Sequence, residues 1–192
     1  GNDADSNPSM EALRDCVVEA LNDFDEPVCL VGHSMGGLVA QMVAAVAPVH
    51  SIVLICSAPP KEIRYIPQRH HVSPALPRVF PTLLGRPVDF RGKAYREIGF
   101  NCIPESDHAA IEAQLTLWPN RLVKQLLLSR PSVPPVSCPV LVTCGLQDRL
   151  LSTRIARLLG DYHNNAVTWR FDDVGHFPQF EPGGERLMKA VL

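Results

Sequence analysis

Three residues in this chain have the side-chain types and settings that acyl transfer needs: Ser34, Asp148 and His176. A serine hydroxyl is a poor nucleophile near neutral pH. It needs a base within hydrogen-bond reach, and the base needs an acid to fix its tautomer and stabilise its charged form. Ser34 sits in Gly32-His33-Ser34-Met35-Gly36, a G-x-S-x-G spacing. Four apolar residues at 28–31 precede it as a short buried strand, and a helical apolar run follows it, with Leu38, Val39, Met42, Val43 and Val46. A serine at the apex of such a strand-turn-helix junction takes a strained backbone conformation. Gly32 and Gly36, two residues to either side, are the positions where side chains are expected to clash. The turn aims the hydroxyl away from the sheet, at the positive end of a helix, with the free amide of Met35 beside it as oxyanion donor. The competing reading is a plain strand-to-helix turn with an incidental serine.

The base has seven candidates. His176 follows a strand in a Gly-His-Phe loop near the C-terminus, where glycine lets the loop turn inward. His33 adjoins the serine, so its side chain points elsewhere and its role reads as structural. His50, His70, His71, His108 and His163 fall in caps, insertion loops or helix ends, and most read as solvated. For the acid, Asp148 closes Gly145-Leu-Gln-Asp148 directly after a buried strand. An Asx-turn is the other reading for an aspartate in such a loop. Asp172 and Asp173 precede His176 so closely that capping or solvating the loop suits them better.

These residues need elements to position them. Met10, Leu13, Val17, Ala20, Leu21 and Phe24 recur with a helical period over 9–24, with Asn7 or Ser9 as cap. A helix over 35–47 is closed by Pro48. Apolar and β-branched runs predict strands at 28–31, 51–56, 139–144 and 166–171. A helix at about 153–159 stops at Gly160, and a last helix begins near Gly184. Between 57 and 137 the character changes, with twelve of the eighteen prolines and helices only at roughly 93–99, 105–117 and 119–129. The chain divides into a core, 1–56 and 138–192, and an insertion, 57–137. Strands alternating with helices predict an α/β fold, a parallel sheet flanked by helices on both faces. Ser34, Asp148 and His176 each follow a strand, where such sheets carry their chemistry.

Composition sets the outer bounds. With 192 residues, 46% hydrophobic content and net charge −2, the chain suits one globular domain. It has no basic stripe for nucleic acid and no apolar run long enough for a membrane span or a secretory signal. None of the six cysteines forms a C-x-x-C pair, which argues against a metal or redox motif. Cys29, Cys56 and Cys144 lie in strand-like runs as small buried hydrophobes. Reduced thiols suit a cytoplasmic protein. No metal or cofactor is expected.

The blocks Gly32-His-Ser-Met-Gly-Gly37, Pro139-Val-Leu-Val-Thr-Cys-Gly-Leu-Gln-Asp148 and Gly175-His-Phe-Pro-Gln-Phe-Glu-Pro182 resemble the signatures of the α/β-hydrolase superfamily. The branch is that of serine esterases, thioesterases, lactonases and C–C bond hydrolases. The order Ser…Asp…His is the order found there, and the likeness runs from residue 7 onward. It implies a serine hydrolase acting on a carboxylic ester or related acyl bond of a small molecule, through an acyl-enzyme. Ser34 is then the nucleophile, His176 the base, Asp148 the acid and Met35 the oxyanion donor. Serine at 34 speaks against haloalkane dehalogenases and epoxide hydrolases, which use a carboxylate. The insertion 57–137 resembles that family's helical lid. In it Leu76, Phe80, Leu83, Leu84, Ile111, Leu115 and Trp118 line an apolar pocket or form lid core. Lys61, Arg64, Arg69 and the two histidines that follow meet an anionic substrate or form a solvated face.

The chain departs from the family in one respect. The elbow strand is its first strand, so the N-terminal strands and the loop carrying a second oxyanion donor are missing from it. Loss of one donor costs on the order of 10²–10³ in rate. Strand 28–31 becomes an open apolar edge. It is expected to be covered by a separate N-terminal segment, a second copy in a dimer, or rearranged N-terminal residues, and the chain reads as part of a longer one. The alternatives in function are a hydrolase-like protein that binds a small molecule without turnover, as an incomplete-site pseudoenzyme would, and a thioesterase or acyltransferase.

Overall fold

Four short runs rich in Val, Ile and Leu form the strands β1 (Cys29–His33), β2 (Ser51–Ile55), β3 (Val140–Gly145) and β4 (Ala166–Phe171). All neighbours are parallel, and the strands lie in chain order β1-β2-β3-β4. The computed structural model describes residues 7–64 and 84–191. Around the sheet lie α1 (Met10–Leu21), α2 (Met35–Ala44), α3 (Lys93–Gly99), α4 (Glu105–Glu112), α5 (Asn120–Leu128), α6 (Thr153–Tyr162) and α7 (Gly184–Val191), with a short 3-10 turn at Pro178–Phe180.

The two-residue period of the strands divides the core. Ile52, Leu54, Val140 and Val142 point to one face, where they pack with Ala40 of α2 and with Ile155, Ala156 and Leu159 of α6. Val53 and Ile55 point to the other face, toward Phe171, Val174 and Leu187 of α7. Helices therefore cover both faces, as the alternation of strands and helices predicts. Helix α1 starts where the Ser9 hydroxyl accepts the Ala12 amide at 3.2 Å, and its Met10 packs on Leu38 and Met42 of α2.

Several expected boundaries move. β1 runs on through Gly32 and His33, and α2 ends at Ala44, well short of Pro48. Helix α4 stops at Glu112, and Trp118 instead forms an isolated antiparallel bridge with Val88. Gly160 does not stop α6, which continues to Tyr162. A Cβ at Gly160 would stand 2.5 Å from Thr168 Oγ1 of β4, so this glycine serves the close approach of helix to strand. His163 is 1% exposed rather than solvated, with its ring nitrogens bonded to Val136 and Gln41. His108 is half-buried against the ring of Phe100, while His50 is exposed. Cys29 is exposed, not buried, because β1 has a strand on one side only, and Val31 beside it is 46% exposed. Among the described residues nothing pairs with the outer edge of β1, and the described part of 57–137 adds no strand to the sheet. Leu76, Phe80, Leu83, Arg69, His70 and His71 lie outside the described residues. Among those described, no helix is long and apolar enough to cross a membrane.

Candidate active site

Ser34 is the only residue between β1 and α2. Its backbone is at φ 51° and ψ −119°, a region that costs a non-glycine residue about 1–3 kcal/mol. The end of β2 holds it there. The Ser34 amide donates to the Ile55 carbonyl at 3.0 Å, and the Ala58 amide donates to the Ser34 carbonyl at 2.9 Å. The expected crowding is present at Gly32, where a Cβ would stand 2.5 Å from the Gly36 carbonyl oxygen. It is not present at Gly36, which is exposed and where a Cβ would meet no described atom within 4 Å beyond its chain neighbours and its own helix's backbone. The second close contact falls on Gly37, where a Cβ would stand 2.2 Å from Ser57 Oγ. Met35 opens α2, and the amide of a helix's first residue has no acceptor within the helix.

Asp148 and His176 meet because β3 ends in a glycine. A Cβ at Gly145 would stand 2.0 Å from the Val174 carbonyl oxygen. Without it, the loops after β3 and β4 lie side by side, joined by Leu146 N–H to Phe171 C=O and Gln147 N–H to Val174 C=O, both at 2.9 Å. The Ser34 hydroxyl then donates to His176 Nε2 at 3.0 Å, and His176 Nδ1–H donates to Asp148 Oδ2 at 2.9 Å. The carboxylate fixes the tautomer, leaving Nε2 bare toward the serine. Asp148 also forms the Asx-turn. Its Oδ1 accepts the Leu150 and Leu151 amides at 2.8 and 2.9 Å, so the two readings of this residue are one arrangement split between two oxygens. Asp148 and His176 are 7% and 2% exposed.

Other groups complete the surroundings. His33 donates from Nε2 to the His176 carbonyl at 2.6 Å. Burial, and after it the neighbouring His176, holds the His33 imidazole down at about 4, so it is neutral near pH 7. Cys56, at the end of β2, has φ 43° and its Sγ lies 3.6 Å from the Gly175 carbonyl. Burial, and after it the charge of Asp148, pushes this thiol well up. Cys56, Asp148 and His176 bring potential metal-ligating atoms within 4.8 Å of one another, the one such group among the described residues, although Asp148 and His176 are bonded to each other. The Asp172 main-chain carbonyl accepts from Gln147, and the Asp173 carboxylate pairs with Arg186 at the surface.

The ring of Phe177 lies 4.9 Å from His176, 5.7 Å from Phe100 and 6.3 Å from Tyr95, so the helical segment touches the loop that carries His176. Ile111 belongs to that segment's own core with Phe100 and Ile103, and Leu115 packs against it. Trp118 meets Phe90 edge-on, and Leu84, Lys61 and Arg64 are exposed. One residue escaped the sequence reading, although it stands in the third block: Glu181 is buried and accepts the amides of Gly175 and Phe177. The cue was a carboxylate five residues after the loop histidine, behind a proline-led turn.

Residues 1–187 match the sequence profile of the Alpha/beta hydrolase family. No curated protein sequence matches the chain significantly. Among solved structures, the chain is similar to a thermophilic esterase from Thermogutta terrifontis, at 20% identity and a TM-score of 0.67, over 97% of this chain and 71% of that one. It is also similar to MenH from S. aureus, at 18% identity and a TM-score of 0.68, over 97% and 75%. A monoacylglycerol lipase from Paleococcus ferrophilus superposes at 18% identity and a TM-score of 0.68, over 97% and 74%. The matched profile spans nearly the whole chain, and the chain belongs to the alpha/beta hydrolase family.

Proposed function

We propose that the chain hydrolyses a carboxylic ester of a small molecule through Ser34, His176 and Asp148. The observation that carries this reading is the continuous line of hydrogen bonds from the Ser34 hydroxyl through the imidazole to Asp148. Ser34 Oγ attacks the acyl carbon while its proton passes to His176 Nε2. The imidazolium returns that proton to the leaving oxygen, and water attacks the acyl-enzyme by the same route in reverse. Asp148 orients His176 and stabilises its charged form. The Met35 amide faces the oxyanion.

The contacts of Phe177 with Tyr95 and Phe100 support 57–137 as a lid that shapes the acyl side. The esterase and lipase among the similar structures favour an oxygen ester over a thioester. The six free cysteines suit a reducing, cytoplasmic compartment. The bare outer edge of β1 favours pairing with a further strand, from a second copy or an N-terminal segment.

The test is hydrolysis of p-nitrophenyl butyrate, together with labelling by a fluorophosphonate mapped by mass spectrometry. The expected result is label on Ser34 and loss of both signals in Ser34→Ala. Equal hydrolysis by the two proteins removes Ser34 from the chemistry.

A further inference from the structure

We infer that Glu181 is a positioning residue for the base: its buried carboxylate grips the main chain on both sides of His176 and so sets the imidazole against Ser34. This rests on the reading of Ser34, His176 and Asp148 given above. His176 lies between β4 and the 3-10 turn, in a stretch with no ladder or helical hydrogen bonds of its own. Side chains take their place. The Gly175 amide donates to Glu181 Oε2, and the Phe177 amide donates to Oε1 at 2.9 Å. The carbonyl between them, that of His176, accepts from His33. The peptide groups flanking the base are thus held from the turn before α7 and from the end of β1.

The grip is built in detail. Each carboxylate oxygen takes one amide, an arrangement that suits the ionised form, whose oxygens are acceptors only. A Cβ at position 175 would stand 2.8 Å from Glu181 Oε1, so glycine before the base is what lets the carboxylate approach. Glu181 is 6% exposed. Among the described residues no lysine or arginine forms an ion pair with it. A buried carboxylate without a cation is costly, and a fold that keeps one only to tie a loop could use an amide or a hydroxyl instead. Burial, and with it the charge of Asp148, raises its pKa, and the two amides and His176 oppose that shift. The groups facing His176 are Asp148, Glu181, the neutral His33 and the Cys56 thiol, with Cys102 beside Gly175. Two carboxylates therefore favour the imidazolium that forms when Ser34 gives up its proton.

Glu181→Gln and Glu181→Asp separate positioning from loop stapling. Glutamine keeps the shape but offers one acceptor, and its amide group opposes the second N–H. Aspartate keeps both acceptors on a shorter arm. The expected result for Glu181→Gln is a drop in kcat of about 10–100-fold with KM nearly unchanged. The acid limb of kcat/KM should move to lower pH, because a negative charge near the imidazole is gone. Glu181→Asp should recover part of both. Titration of ¹⁵N-histidine-labelled protein by NMR should show the His176 pKa falling in Glu181→Gln. A folded Glu181→Gln with wild-type kcat, acid limb and His176 titration overturns the inference. Where that variant does not fold, Gly175→Ala carries the test, since it pushes a methyl against Oε1. Lowered kcat and a shifted titration support the inference, and wild-type values overturn it. The NMR titration needs no turnover. Absence of label at Ser34 therefore refutes the triad, while an unmoved His176 refutes the role of Glu181.

Discussion

Ser34 and His176 meet at 3.0 Å, yet they are held in place by different means. Ser34 is placed by main chain: the end of β1, the start of α2, amide bonds to the end of β2, and close contacts at Gly32 and Gly37. His176 is placed by side chains, with Asp148 on its ring and Glu181 and His33 on its backbone. A main-chain mount is indifferent to charge and intolerant of volume. A side-chain mount answers to charge, and therefore to pH. The placement of Ser34 should be broken by added atoms, and that of His176 by altered protonation.

The largest effect is expected at the serine itself. Ser34→Gly should lower kcat by about 10⁴–10⁶-fold, as removal of a nucleophile does. The same change should raise stability by about 1 kcal/mol, because glycine adopts a positive φ without strain. A urea midpoint that falls in Ser34→Gly would show that the strain is not stored there. Next in size is the contrast between two adjacent glycines. Gly37→Val drives a side chain into Ser57 and should cost about 1–3 kcal/mol or more, as overpacking does. Gly36→Val meets nothing outside its own helix among the described residues and should move the thermal midpoint by less, since valine is also the better helix former of the two. Equal losses would mean that volume is not what the main-chain mount resists.

The smallest effect is a slope with pH. Burial holds His163 down at about 4, as it does His33. Both are neutral when folded and take up protons below about 6.5 when unfolded. Their stabilising contribution is complete above that pH and is lost as pH falls toward about 4. The two histidines should make denaturant midpoints decline over that window, and His163→Gln should flatten the decline, since both act with the same sign. An unchanged slope would separate His163 from acid sensitivity. The expected result would tie stability at the elbow to pH. Val136 N–H donates to His163 Nδ1, His163 Nε2–H donates to Gln41, and Gln41 donates to the Gly37 carbonyl and the Ser57 hydroxyl.

The parallel sheet and the chain order of Ser34, Asp148 and His176 were legible because they rest on local patterns: short apolar runs, turn residues and helical period. What was not legible depends on a third element. Gly36 and Gly37 look alike in sequence, and only the path of the chain after β2 decides which is crowded. Gly160 carries the signal of a helix stop, yet it serves contact with Thr168, and His163 is buried by partners distant in sequence, Gln41 and Val136. Cys29 has the pattern of a central strand, but a two-residue period cannot tell a strand with two neighbours from one with a single neighbour. Glu181 stood in a recognisable block, but its role depends on burial that no spacing reveals.

The exposed face of β1 also supplies a chemical handle. Cys29 and Cys16 are exposed while Cys56 and Cys144 are buried, so a maleimide dye in a Cys16→Ser background should react first on the outermost strand. That strand ends at His33, the residue before Ser34. A fluorophore there would respond to any chain that docks along the edge, and would register assembly independently of turnover.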